Sequence, residues 1–228
     1  MELSIGREDL FRYINSQLSH FFPDNIKMEG EEVWRAFDHA LEKIERCFVS
    51  INNPMYSDEK GHTFFSHLHS DQYAQFIYFF SNCLWNMSGN KPICDKLMAL
   101  NRVLNNLFIS YKCELPEHFM FGHAFGTIIG NADFDDYLFV SHHVTINTGE
   151  EKNGVRAPHI GKGVWLGPGA QIIGNESIGD RVSVGVNTVI YNQIIPNDSI
   201  AINRGSGTEI LRNERDCCKA QWYFRPTL

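Results

Sequence analysis

The amino-acid sequence predicts an α+β chain, a helical half followed by a parallel β-helix built from hexapeptide repeats. Two observations carry this. Over residues 1–112 the apolar residues recur at helical spacing, whereas over 113–203 they recur at an interval of six. The step Leu115-Pro116 stands near the change of rhythm, and residues 204–228 break the repeat as a C-terminal cap or tail.

In the first half, Leu10, Phe11, Ile14 and Leu18 form one apolar stripe, closed by Phe21-Phe22-Pro23-Asp24. Val33, Phe37, Leu41, Ile44 and Phe48 form a second, on a helix from near Glu31 to before Asn52-Asn53-Pro54. A third helix is predicted over Asp71 to Met87, crowded with Phe76, Tyr78, Phe79, Phe80 and Trp85, and a fourth over Ile93 to Ile109. Aromatics at helical spacing read as core, so this half is expected to serve as scaffold and oligomer contact.

In the second half, Ile160, Leu166, Ile172, Ile178, Val184 and Ile190 fall six residues apart without a miss. Gly161, Gly167, Gly179 and Gly185 follow four of them, and Val164, Ala170, Val182 and Thr188 recur four places on. Upstream, Ile146, Val140 and Phe134 keep the same phase. Six fits neither a helix nor a hairpin. Each hexad reads as a short strand and a corner, stacked at about 4.8 Å so that a column of aliphatic residues is buried.

Composition narrows the function. A net charge of −7 over 228 residues argues against a reader of nucleic-acid phosphates, which needs a basic face. The six cysteines include no CxxC pair, and Cys217 and Cys218 are adjacent, so reduced thiols in a cytoplasmic protein are expected. The first residues lack the pattern of a signal peptide, and no apolar run reaches the length of a membrane span.

The hexads IGKGVW, LGPGAQ, IGDRVS and VGVNTV resemble the [LIV]-G-x-x-[STAV]-x repeats of the hexapeptide acyltransferases. Within that group the chain is most similar to the serine acetyltransferases. From Val144 to about Ile200 it follows their pattern, with an outgoing loop TGEEKNGVRAP. The resemblance implies a left-handed β-helix, acetyl-CoA as acyl donor, no metal, and homotrimers, in some cases paired into hexamers, with sites between neighbouring subunits.

Acyl transfer to a hydroxyl needs a base, and an imidazole titrates near working pH. His123 in Phe121-Gly122-His123-Ala124-Phe125-Gly126 stands where the family carries its catalytic histidine. For the carboxylate that orients it, the nearest equivalent is Glu114, with Glu117 as competitor. His142 lies 19 residues after His123, one more than a coil of three hexads, and is expected to stack at the same corner, near the acceptor. Arg156 matches the family arginine that contacts the acceptor's carboxylate, a task suited to a guanidinium fork. Thr148, Gly167, Pro168, Gly185 and Val186 match coenzyme A positions, and Lys162 could meet a phosphate.

Two departures matter. The family's aspartate before the histidine is Gly122, and its histidine after the arginine is Ala157. Both losses remove polar contacts to an amino-acid acceptor and are expected to open the pocket, pointing to a sugar hydroxyl or a nucleotide-linked amino sugar. Trp165 in VWLG resembles the VWIG of galactoside- and antibiotic-acetylating relatives. Two rivals remain: a γ-carbonic-anhydrase-like zinc enzyme using His118, His123 and His142, and a β-helix that is a scaffold without activity.

Overall fold

The computed structural model describes residues 1–147, 151–152 and 155–228. Four helices come first: α1 (Arg7–Phe21), α2 (Glu31–Val49), α3 (Ser70–Ser88) and α4 (Lys91–Asn105). Their apolar stripes meet in one core, in which Leu10, Ile14, Phe37, Ile44, Phe76 and Phe80 have no exposed surface.

The fourth helix is shorter than predicted. Asn106 adopts the left-handed conformation at φ 48°, a common way to end a helix, and Leu107–Ile109 then form a strand. Aromatic Phe108 and β-branched Ile109 suit a pleated surface better than a helix end.

Three parallel faces follow, as the hexads require. The first stacks Phe119–Gly122, Leu138–Ser141, Trp165–Leu166, Ser183–Val184 and Ser199–Asn203, closed by antiparallel Thr208–Arg212. The second stacks Leu107–Ile109, Thr127–Ile129, Thr145–Ile146, Gln171–Ile173 and Val189–Tyr191. The third pairs Asp133–Phe134 with His159–Ile160 and continues through single bridges at Ile178 and Ile195. Ile160, Leu166, Ile172, Ile178, Val184 and Ile190 are all buried to within 2%, the aliphatic column that the period predicted.

Both ends of the prism are covered. Helix α3 lies across the first coil, its aromatics Tyr78 and Phe79 against Phe119. At the other end Thr208–Arg212 turns back on the last strand, and the chain then returns along the first face to the helices. Tyr223 stacks on Phe139 at 4.0 Å, Phe224 is buried and bridges to Ile51, and Arg225 donates from Nη2 to the Ser57 carbonyl at 2.9 Å. The tail therefore both caps the last coil and ties it to the helical half. Among the described residues no helix is long and apolar enough to cross a membrane.

The thiols divide sharply. Burial pushes Cys47 and Cys94 each up to about 12, Cys218 is also buried, and Cys217 is exposed. A buried thiol with little thiolate reacts slowly. Native protein at pH 8 is expected to release one rapid equivalent from a disulfide dye, lost in Cys217→Ser, with the remaining thiols reacting only on denaturation.

Candidate active site

The site begins with an irregularity in the repeat. Strand register aligns Phe121 with Val140 and, on the next face, Ile129 with Ile146. The first coil therefore spends two more residues on this corner than the second does. The extra length is taken up at His123, whose backbone turns at φ 57° and whose side chain is 85% exposed. Seven other described non-glycine residues also hold positive φ, so it is the exposed ring rather than the backbone angle that sets His123 apart.

That insertion changes which residues stack. The His143 amide donates to the Phe125 carbonyl, the Gly169 amide to that of His142, and the Asn187 amide to that of Pro168. Phe125, His142, Pro168 and Val186 thus form one column along the edge, with Phe125 parallel to His142 at a ring separation of 5.4 Å. His142 shares the corner with His123, as expected, but its stacked partner is Phe125; the two added residues push His123 outward.

A buried carboxylate faces His123, and it comes from α3. Asp71, in the first helical turn, is 8% exposed in its side chain. Its oxygens accept from the backbone amides of His123 at 2.9 Å and Ala124 at 3.2 Å. One of them lies 3.5 Å from His123 Nδ1. A helix N-terminus favours an anion there, and the freely exposed ring needs only a small rotation to close the contact to hydrogen-bond length. Such bonds are commonly long before substrate binds.

Asp71 also begins a polar stripe along α3. Gln75 donates to the Phe119 carbonyl at 2.8 Å, the Tyr78 hydroxyl to that of Cys113 at 2.8 Å, and Asn82 to that of Tyr111 at 3.1 Å. Positions 71, 75, 78 and 82 share one helix face, so one side of α3 is bonded to the first coil throughout.

Glu114 belongs to the far end of this stripe. It accepts from Asn82 at 3.2 Å and Asn86 at 3.1 Å. Eleven residues of helix separate Asn82 from Asp71, about 16 Å, so within one chain Glu114 does not orient His123. Glu117 is engaged with Arg46 at 2.8 Å. The sequence reading missed Asp71 because the pair is 52 residues apart; the available signal was an acid in the first turn of the third helix.

Other predicted residues are sorted by the corners. Gly167, Pro168, Gly185 and Val186 lie along the column below Phe125. Lys162 stands at a different corner, its ammonium 5.5 Å from the Tyr137 ring, because Gly163 there stacks in the row of Tyr137, Arg181 and Asp198. Gly122 does not open the pocket: a Cβ built on it would overlap the Phe139 ring, which fills that space. Thr148 lies outside the described residues. Arg156 is described in backbone only, in Val155–Arg156 paired antiparallel with Glu151–Lys152. His118 is bonded to Asp136 at 2.7 Å, and among the described residues no three His, Cys, Asp or Glu groups converge as a metal site requires.

Beside His123 opens a cleft of about 380 Å³, between the start of α3, the end of α4 and the corner. Ser70, Asp71, Asn105 and Asn106 supply its polar groups; Leu104 and Phe125 are prominent on its apolar side.

No family model matches the chain. It is 28% identical over 120 residues to a serine acetyltransferase of Synechococcus elongatus, covering 52% of this chain and 49% of that protein. To a serine acetyltransferase of Helicobacter pylori it is 27% identical over 124 residues, covering 54% and 71%. The chain spans about half the length of the first of these relatives. Among solved structures, a serine acetyltransferase in complex with CoA superposes with a TM-score of 0.62 at 21% identity, covering 79% of this chain and 73% of that one. One in complex with cysteine covers 92% and 74% at a TM-score of 0.57 and 19% identity. The likeness shows the shared fold, a helical domain followed by a left-handed β-helix.

Removing the Asp71 charge tests this joint without any assay of activity. Asp71→Asn sets a carboxamide against two backbone donors and is expected to cost about 1–3 kcal/mol in denaturant unfolding. Hydrogen exchange at the His123 and Ala124 amides should quicken with it. Unchanged exchange at both amides would contradict the bonding described.

Proposed function

We propose that the chain transfers an acetyl group from acetyl-CoA to a hydroxyl acceptor, with His123 as general base and Asp71 as the carboxylate that orients it. The observation that carries this is the exposed imidazole, projecting at positive φ from the prism corner over a cleft, with a buried carboxylate 3.5 Å behind its Nδ1. The resemblance to serine acetyltransferases, one of them solved with CoA, supports the donor.

In the reaction, His123 Nε2 takes the acceptor's hydroxyl proton as the oxygen attacks the thioester carbonyl. The Asp71 carboxylate favours the imidazolium so formed. Collapse of the tetrahedral intermediate breaks the C–S bond, and the imidazolium returns its proton to the departing thiolate, leaving an acetyl ester and free CoA. The pantetheine arm runs along the edge formed by His142, Pro168 and Val186, below Phe125. Thr148 and Arg156 are carried in this reading as donor and acceptor contacts from the loop.

The working unit is a homotrimer, in which a second chain completes the edge. Exposed Ile128, Val186, Val189 and Tyr191, lying on the second face and its corner, support self-association. The setting is the cytoplasm, in keeping with reduced thiols and the metabolic donor.

The test is release of free thiol from acetyl-CoA with an acceptor present. His123→Ala is expected to lower kcat by about 10²–10⁴-fold with the fold intact. Asp71→Asn should lower it by about tenfold or more, whereas Glu114→Gln should stay within about twofold. Equal rates in the wild type and His123→Ala would remove His123 as the base, and no thiol release with any acceptor would leave a scaffold without activity.

A further inference from the structure

We infer that the acceptor is a neutral carbohydrate, a pyranose bound with its apolar face on Phe125, rather than an amino acid. This rests on the transferase reading and concerns which hydroxyl enters the same cleft.

Charge in the cleft disfavours an amino acid. Among the described residues lining the cleft the one formal charge is Asp71, an anion; the remaining polar residues, Ser70, Asn105 and Asn106, are neutral apart from His123 itself. An amino acid brings a carboxylate, and within this cleft it meets no cation while sharing the space with a second carboxylate. Burying such a group unpaired is costly. Arg102, the nearest cation in the sequence of α4, lies in the adjoining cleft and stands over the Phe108 ring at 5.6 Å. Nor is Asp71 free to receive an ammonium, because it is 8% exposed and both its oxygens already accept backbone amides.

The shape of the cleft favours a flat ring. Phe125 is a flat ring 51% exposed, held from one side by parallel His142 and at its edge by His143 at 4.9 Å. Leu104, also exposed, lines the cleft with it. A pyranose offers one face of C–H groups to such a ring while its hydroxyls point outward in the plane, towards amides and a serine hydroxyl. Serine has no such face. A volume of about 380 Å³ also falls in the range that holds small-molecule ligands, about 300–1,000 Å³, and a molecule of serine's size would leave much of it to water.

The expectation that Gly122 makes room for a larger acceptor is not needed, since Phe139 fills that space. The competing cation is Arg156, whose side chain is outside the described residues. The experiment therefore sets the two acceptor classes against each other and includes a readout that does not depend on turnover.

In the turnover arm, thiol release is followed with acetyl-CoA and either L-serine, methyl β-D-galactopyranoside, methyl α-D-glucopyranoside or N-acetylglucosamine. The best pyranoside is expected to exceed L-serine at least tenfold in kcat/KM, with Phe125→Ala raising its KM at least fivefold and Phe125→Tyr restoring it. In the binding arm, saturation transfer from protein to the same pyranosides is read by NMR. It should fall on ring C–H protons, vanish in Phe125→Ala and persist in His123→Ala. L-Serine outperforming every pyranoside, or no saturation transfer to any of them, overturns the inference while leaving acetyl transfer intact. Phe125-dependent binding with no thiol release from any acceptor supports the ligand class and overturns the transferase reading.

Discussion

Everything in this molecule depends on how the first coil of the β-helix is closed. A strand with no neighbour on one side leaves a row of amides and carbonyls unpaired. Phe119–Gly122 is such an edge, bonded only to Leu138–Ser141. The stripe Asp71, Gln75, Tyr78 and Asn82 covers it: three side chains donate to carbonyls of the first coil or its lead-in, and the carboxylate accepts the two amides where the corner turns. Buried polar groups on an otherwise apolar helix would be a liability alone. Here the donors and the carboxylate are paired with the edge they cap, and of the stripe's polar atoms Gln75 Oε1 is left buried without a partner among the described residues.

The same closure makes a site. Regular corners of the prism are filled: Gly126, His143, Gly169 and Asn187 hold positive φ and stack one on the next, leaving little freedom. Two added residues in the first coil leave Gly126 in that stack and bulge out just before it, at the corner beside the start of α3 and the end of α4. His123 is thereby thrown clear of the column while its backbone amide remains tied to Asp71. In the proposed reaction, an imidazole that is exposed in its ring yet fixed at its backbone reaches solvent-borne substrate while staying beside Asp71.

How much of this the sequence revealed follows from the range of the interactions. The hexads are local and periodic, so the aliphatic column, the three faces and the helices α1 to α3 could be read within a few residues. The end of α4 could not, because Leu107-Phe108-Ile109 is apolar in either state and tertiary pairing with Thr127–Ile129 decides it. His123 stands out through its motif, and its catalytic role belongs to the proposal. Asp71 does not stand out, because nothing local distinguishes a carboxylate in the first turn of a helix from an ordinary dipole partner. The reading that gave Glu114 the role followed a motif whose spacing had shortened, and the residue is instead the last acceptor on the α3 stripe. Gly122 failed for a related reason: an absent side chain predicts space only if no neighbour fills it, and Phe139 does.

The helical half is therefore more than a scaffold. It supplies the carboxylate, the end of α4 that forms one wall of the cleft, and the cap without which the histidine corner would be an open edge. The C-terminal strap works from the other side, since Phe224 and Arg225 tie the returning chain to Ile51 and Ser57, beyond the end of α2. Helices and prism are thus fastened at the first coil through α3 and along the first face through the tail. A site assembled from residues 71, 105, 106, 123 and 125 draws on both halves and keeps its geometry only if they do not shift. The double fastening, more than any single hydrogen bond, holds an exposed imidazole within a few tenths of an ångström of useful contact with its carboxylate.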